Sequence, residues 1–148
     1  MIIGISSKII QPSIRELLSY ATSIEKVDQA YIMYIESHNQ SLFGYKNGKE
    51  DISGCIGVEI KANNCEIRHI AVSPEERGKG IGGKMIEFII DKYSLTNITA
   101  ETDKDAVEFY RNLGFKITSL GEKYPGIERF LCERIIEITH LSNQRIDD

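Results

Sequence analysis

The 148-residue chain has an ordinary globular composition, with 41% hydrophobic residues, 27% charged residues and a formal charge of -4. The acidic balance and the lack of a Lys/Arg block argue against nucleic acid as a main partner. No apolar run approaches the roughly 20 residues of a membrane helix, and the N-terminus lacks a leader pattern, so we expect a cytoplasmic protein with no membrane partner.

The first half of the chain predicts a strand, two helices and a hairpin. The strand is "MIIGIS", and Pro12 with Ser13 opens a helix with apolar residues at helical spacing. A second helix is expected near 24–36. A turn at Asn47-Gly48 between two strand-like runs then predicts a β-hairpin.

The second half predicts a strand–helix–strand unit and a closing hairpin. After the turn "KANNC", we expect a strand over 65–72, a helix over about 81–93 and the strand "NITAET". Asp103 can cap a helix from 104 to 113, which Gly114 closes. "FKITSL", the turn "GEKYPG" and "IERFLC" predict the hairpin, and residues from about 138 form a polar, frayed tail.

These elements predict one α/β domain over residues 1–148, with antiparallel pairs flanking the central unit. The cysteines and histidines do not group: no cysteine lies in a CxxC pair, and the histidines are scattered. The sequence therefore predicts no metal and no disulfide framework, with buried thiols in a reducing environment.

The strand before the glycines contains an irregularity. In "CEIRHIAV" the apolar positions Cys65 and Ile67 are followed by Ile70 and Val72, so the alternation slips by one residue. A β-bulge produces such a slip, and bulges are common beside active sites. A strand buried on both faces would tolerate the same pattern. If a bulge is present, it leaves a backbone N–H free to meet a carbonyl oxygen.

Four glycines in "RGKGIGG", residues 77–83, precede a helix, where glycine is unfavourable unless something approaches the backbone closely. A mononucleotide P-loop would need a hydroxyl after Gly83-Lys84, and Met85 stands there instead. The dinucleotide pattern GxGxxG is matched only formally, since "SPEER" separates the glycines from the strand. The remaining template, R/Q-x-x-G-x-G/A, is met by Arg77, Gly80 and Gly82. Each template binds a diphosphate at a helix N-terminus.

Two segments together resemble the GCN5-related N-acetyltransferases. "IRHIAVSPEERGKGIGGKMI" resembles the coenzyme A site of this family, and "DAVEFYRNLGF", residues 105–115, is similar to its signature A-x-x-[FL]-Y-x-x-x-G-F. The resemblance covers roughly residues 52–132. It implies a mixed, mainly antiparallel sheet flanked by helices, with a central strand–helix–strand unit and a bulged strand that pairs with the cofactor.

The resemblance implies acetyl-CoA as acetyl donor and assigns residues to it. The pyrophosphate would lie on the backbone from Arg77 to Gly83, and the pantetheine arm would pair with the strand from Ile70 to Val72. Asp103 stands where the family often has asparagine, which either weakens a cofactor contact or only caps the helix. The full set of expected cofactor residues is Ile70, Ala71, Val72, Arg77, Gly78, Lys79, Gly80, Ile81, Gly82, Gly83, Asp103 and Tyr110.

Catalytic roles are implied in the same way. Tyr110 matches the tyrosine that protonates the leaving thiolate, and a phenol with a pKa of about 10 stays protonated at neutral pH. Glu66, eleven positions before Arg77, matches a glutamate base of the family, although a solvated strand residue paired with Arg68 is an equal alternative. His69 is a rival base, and proton loss through ordered water is a third alternative.

The resemblance therefore implies an N-acetyltransferase that moves an acetyl group to a primary amine by direct attack in a ternary complex. The alternative is an acyl-CoA-binding sensor or regulatory module with little turnover. The acceptor is a small-molecule or peptide amine that the sequence does not identify, and a homodimer is an open expectation for the assembly.

Overall fold

A computed structural model describes residues 1–48 and 51–137, so the expected frayed tail lies outside the described residues. The strands are β1 (Ile2–Gly4), β2 (Gln40–Lys46), β3 (Ile52–Lys61), β4 (Asn64–Val72), β5 (Asn97–Asp103), β6 (Lys116–Tyr124) and β7 (Ile127–Ile135). The helices are α1 (Pro12–Ala21), α2 (Val27–Glu36), α3 (Ile81–Tyr93) and α4 (Val107–Asn112). The predicted element order is confirmed.

Among the described residues the strands form one sheet in the order β1-β2-β3-β4-β5-β7-β6. The pair β4–β5, which α3 connects, is parallel, and the other pairs are antiparallel. The predicted mixed, mainly antiparallel sheet with a central strand–helix–strand unit is therefore confirmed. No helix within the described ranges is long and apolar enough to span a bilayer.

The two faces of the sheet have separate cores. One core contains α3 and α4, with fully buried Met85, Ile86 and Ile89 packing on β3, β4 and β5. The other contains α1 and α2, with buried Ile14 and Leu18. Each fully buried aliphatic side chain contributes about 1.5–3 kcal/mol of transfer free energy. The sheet is therefore packed between two helical layers, one on each face.

Three predicted boundaries differ from the structure. Residues Ile24–Lys26 form a 3₁₀ turn before α2 rather than its first turn. The helix expected over 104–113 begins at Val107, because the Asp103 carboxylate accepts hydrogen bonds from the N–H groups of Asp105 and Ala106 and holds a turn there. The closing turn is shorter than "GEKYPG", since β6 continues to Tyr124.

Candidate active site

Strands β4 and β5 diverge in the middle of the sheet. Their parallel pairing runs from Asn64–Asn97 to Ile67–Ala100, while β4 continues to Val72 and β5 to Asp103. The divergence starts next to a bulge: Gly57 of β3 pairs with His69, Val58 pairs with Ile67, and Arg68 is the extra residue between them. The predicted bulge is confirmed, and it opens a gap between two strands that are neighbours in the sheet.

The end of β4 turns backbone groups into this gap. Ser73 N–H donates to Ser53 O at 2.8 Å, which sets the phase of the antiparallel β3–β4 ladder. By alternation, Ala71 and His69 bond to β3, and Ile70 and Val72 direct their N–H and C=O groups towards β5. An extended chain lying in the gap could therefore pair with β4 as an added strand.

The glycine segment connects the end of β4 to α3. Gly78 and Gly80 both have φ of +81°, a left-handed conformation that glycine adopts without steric cost, and a Cβ at either position would meet open space. The first intrahelical bond of α3 runs from Lys84 N–H to Gly80 O at 3.0 Å. The N–H groups of residues 81–83 precede that bond and lie at the positive end of the helix dipole.

The other two glycines of the segment serve helix packing. A Cβ at Gly82 would lie 2.7 Å from the Phe109 ring, and a Cβ at Gly83 would lie 3.2 Å from Leu113 Cδ2. Both contacts are with α4 or the residue that follows it. Because glycine has no side chain, α4 can approach the first turn of α3. The glycine segment and the signature segment over residues 105–115 therefore lie next to each other.

Two cations flank the glycine segment. Arg77 Nε donates to Val72 O at 2.9 Å, and its guanidinium lies 5.3 Å from the centre of the Tyr20 ring. Arg77 therefore ties the loop to the end of β4 and to α1. Lys79 Nζ lies 2.5 Å from Glu76 Oε2, and Lys79 is not among the residues that line the cavity.

A cavity of about 840 Å³ occupies the gap between the strands and the start of α3. Of the expected cofactor residues, all except Lys79 line it. Part of the wall was not among the expected cofactor residues; it comes from α1, the ends of β5 and β7, and α4 with the residues that flank it: Tyr20, Ala21, Glu101, Thr102, Ala106, Phe109, Asn112, Leu113 and Arg129. Phe109, Asn112 and Leu113 lie inside the quoted signature segment, whereas the Tyr20 contact depends on how α1 packs.

Tyr110 lies on α4 with its ring in the wall of this cavity, and 4% of the residue is exposed. Its ring meets Phe109 and Phe115 edge to face, with centroids 5.0 Å and 5.2 Å apart. Burial, with a smaller effect from the Cys132 thiol, raises the pKa of Tyr110 well above its usual value. The group is therefore a neutral phenol that can donate a proton at pH 7.

Asp103 ends β5 at the cavity. One carboxylate oxygen accepts from the N–H groups of Asp105 and Ala106, at 3.0 Å and 3.1 Å. Of the two interpretations of this residue, the capping contact is therefore present, although it caps a turn that precedes α4 rather than the helix itself.

The two candidate bases are placed differently. Glu66 does not line the cavity: its side chain is 48% exposed, and Oε1 lies 3.6 Å from Arg68 Nη1. His69 lines the cavity, and its Nδ1 lies 2.5 Å from the Tyr34 hydroxyl. Burial, assisted by the Arg68 charge, lowers the pKa of His69, so its ring is neutral at pH 7. The structure therefore brings His69, and not Glu66, to the same cavity as Tyr110.

Comparison with known proteins identifies the class of protein that this fold and site define. The model of the GNAT acetyltransferase domain family matches residues 37–117, and the chain belongs to this family. An uncharacterised N-acetyltransferase of Bacillus methanolicus is 37% identical over 71 residues, which are 47% of this chain and 58% of that relative. The matched part of the chain spans between 26% and 58% of the length of five curated relatives.

Solved structures share the fold over nearly the whole chain. A GNAT family acetyltransferase from Elizabethkingia anophelis with acetyl-CoA bound has a TM-score of 0.70 at 20% identity, over 92% of this chain and 97% of that one. An aminoglycoside 6'-N-acetyltransferase complexed with coenzyme A has a TM-score of 0.75 at 14% identity, over 93% of this chain and 97% of that chain. These likenesses confirm the fold that the sequence predicted.

Proposed function

We propose that the chain is an N-acetyltransferase that moves an acetyl group from acetyl-CoA to a primary amine by direct attack in a ternary complex. The observation that carries this proposal is the meeting of three features at one cavity. These are the diverging strands β4 and β5, the glycine segment at the start of α3, and the buried phenol of Tyr110.

The cavity offers suitable groups for two parts of acetyl-CoA, the pyrophosphate and the pantetheine arm. The N–H groups of residues 81–83 are suited to a pyrophosphate, because they lie at a helix N-terminus and no side chain at Gly80 blocks the approach. The backbone N–H and C=O groups of Ile70 and Val72, which are directed into the gap, are suited to hydrogen bonds with the amides of the pantetheine arm. An N–H in this stretch of β4 can polarise the thioester carbonyl, and such a donor is typically worth about 3–4 kcal/mol of transition-state stabilisation.

The chemistry needs protons to move at the nitrogen and at the sulfur. The amine, with a pKa of about 10, arrives as ammonium and first loses one proton to a base at the cavity. Its nitrogen then forms a bond to the acetyl carbon, the carbon–sulfur bond breaks, and Tyr110 gives its proton to the leaving thiolate. The acylated nitrogen loses its second proton, which restores the Tyr110 phenol directly or through water. Glu66 can take the first proton only through water from its exposed position, and His69 is the alternative in the wall.

The competing function is an acyl-CoA-binding module with little turnover. Tyr110 favours the enzyme, because binding alone does not require a neutral phenol in the wall of the cleft. A protein with the same fold, the aminoglycoside 6'-N-acetyltransferase, is itself an N-acetyltransferase.

The experiment that tests the proposal measures thiol release from acetyl-CoA against a panel of small amines and peptides, with mass spectrometry of the products. We expect thiol release that depends on one class of amine and matches N-acetylated product mole for mole. Tight binding of acetyl-CoA with no amine-dependent thiol release would contradict the proposal and favour the binding module.

A further inference from the structure

Tyr34 on α2 and His69 on β4 form a hydrogen-bonded pair beside the cavity. The Tyr34 hydroxyl oxygen lies 2.5 Å from His69 Nδ1, and the rings meet edge to face with centroids 5.6 Å apart. Tyr34 is buried in the α1–α2 core, and His69 lines the cavity. The Tyr34 hydroxyl thus contacts a residue of the cavity wall from the face of the sheet opposite to Tyr110.

Two features of the backbone make this contact possible. Gly57 of β3 pairs with His69, and a Cβ at Gly57 would overlap the Tyr34 ring, so only glycine leaves room for the phenol there. The bulge at Arg68 shifts the phase of β4, so His69 shares a face with Ala71, which packs in the α1–α2 core. Without the bulge, position 69 would point to the α3 face.

The electrostatic surroundings keep both partners neutral. Burial, assisted by Arg68, lowers the pKa of His69, and burial raises the pKa of Tyr34. At pH 7 the pair is therefore a phenol and a neutral imidazole with one lone pair. The titratable groups around it or on the same cavity are Tyr20 of α1, Cys55 and Glu59 of β3, Glu66 and Arg68 of β4, Glu76 and Arg77 of the loop before α3, Glu101 and Asp103 of β5, Tyr110 of α4 and Arg129 of β7.

We propose that His69 accepts the proton of the amine at Nε2, and that Tyr34 is the positioning residue that holds His69 in the required tautomer. In this tautomer His69 Nδ1–H donates to the Tyr34 hydroxyl oxygen, which leaves the Nε2 lone pair free. Proton transfer converts the imidazole to imidazolium, and the imidazolium passes the proton to water after the acetyl group has moved. The inference rests on the proposed acetyl transfer and names the base within it.

The first test is a pH–rate profile of kcat/KM between about pH 5 and pH 8 with an acceptor amine of pKa about 10, which stays ammonium over this range and so does not itself titrate. In the wild type, kcat/KM should fall as pH drops through the pKa of His69, because the protonated ring cannot accept a proton. His69→Gln should remove this acidic limb and lower kcat/KM by about 10²–10⁴-fold. Glu66→Gln should keep the limb.

Tyr34→Phe distinguishes the two possible hydrogen bonds. If Tyr34 accepts from Nδ1–H, it stabilises the imidazolium more than the imidazole, so its loss should lower kcat/KM and move the acidic limb to lower pH. Tyr31→Phe is the matched control, since Tyr31 lies on the same helix and its hydroxyl donates to Ser7 O at 2.6 Å. The control should leave the limb in place.

Three results would overturn the inference. They are loss of the acidic limb in Glu66→Gln alone, an unmoved limb in Tyr34→Phe, and a limb that moves to higher pH in Tyr34→Phe. The last result would mean that the phenol donates to Nδ1, which leaves Nε2 protonated and unable to accept.

A second readout needs no turnover. Nitrogen-15 NMR of the histidine rings in the full chain reports which ring nitrogen carries the proton, and His69→Gln assigns the signal among three histidines. We expect the Nδ1–H tautomer in the wild type and its loss in Tyr34→Phe. An Nε2–H ring in the wild type would refute the inference even if acetyl transfer occurs, whereas absent turnover would refute the proposed function itself.

Discussion

Tyr110 and Tyr34 are both buried phenols near one cavity, and their neighbours give them different chemistry. Tyr110 packs between the rings of Phe109 and Phe115, and Tyr34 meets an imidazole. Burial raises the pKa of both, so neither ionises near neutral pH. In our account Tyr110 supplies a proton and Tyr34 orients the group that removes one.

Replacing Tyr110 with phenylalanine should separate catalysis from binding. Tyr110→Phe keeps the ring and its packing on Phe109 and Phe115, so the acetyl-CoA dissociation constant and Tm should stay near wild type. The rate constant kcat should fall by about 10²–10⁴-fold, the usual worth of general acid assistance. Steady-state kinetics and calorimetric titration check this, with Tyr124→Phe at the exposed end of β6 as control. An unchanged kcat would show that water or another group protonates the thiolate.

Local motifs locate some residues of the cavity wall and not others. The glycines and Tyr110 lie within short signatures, so their meeting at one cavity could be anticipated. The Tyr34–His69 contact could not, because 35 residues separate the partners and the contact depends on the missing side chain of Gly57 on a third element. Glu66 was matched to a base by spacing alone, and the structure instead shows the alternative interpretation, a half-exposed side chain beside Arg68.

At the scale of elements, the bulge in β4 was predictable from one slipped apolar position. The divergence of β4 from β5 after Ile67 and Ala100 was not predictable, because it depends on how two strands that are distant in sequence pair. The start of α4 was placed three residues early, because Asp103 holds a turn rather than the first turn of a helix. Local propensity does not separate these two uses of an aspartate.

The first turn of α3 lacks the hydroxyl that a magnesium-dependent P-loop needs. Met85 stands where a P-loop has its metal-binding hydroxyl, and its side chain is fully buried against β3. Thermal shift should therefore show a higher Tm with acetyl-CoA and little change with Mg²⁺ and ATP. Added EDTA should leave the acetyl-CoA shift unchanged. A large ATP shift that disappears with EDTA would contradict this assignment of the loop.

At the scale of the whole molecule, the sheet is held between two separate cores, and the cavity lies where they meet across β4. Ile67 packs on the α3 side, and Ala71 packs on the α1–α2 side. The proposed acid, Tyr110, belongs to the core that contains α3 and α4. The proposed base, His69, is held by Tyr34, which is buried in the core that contains α1 and α2. Family membership rests on residues 37–117, whereas Tyr20 and Tyr34 lie before this range, and no sequence motif predicted their contacts with Arg77 and His69.

The central claim is that the start of α3 binds the pyrophosphate of acetyl-CoA. Gly80 suits a direct test, because its Cβ would point into open space and Asp or Asn tolerates a left-handed φ better than other side chains. Gly80→Asp adds a negative charge where a diphosphate would lie, and Gly80→Asn adds the same bulk without charge. Gly126→Asp, at φ +79° in the β6–β7 turn, controls for charge and backbone strain.

Calorimetric titration of acetyl-CoA into these four proteins is the most direct measurement. We expect one site per chain in the wild type, an unchanged Kd in Gly126→Asp and a moderate loss in Gly80→Asn. Gly80→Asp should bind at least about ten-fold more weakly than Gly80→Asn, which corresponds to about 1.4 kcal/mol of charge repulsion. Equal Kd values for Gly80→Asp and Gly80→Asn would contradict the claim that this backbone holds the pyrophosphate.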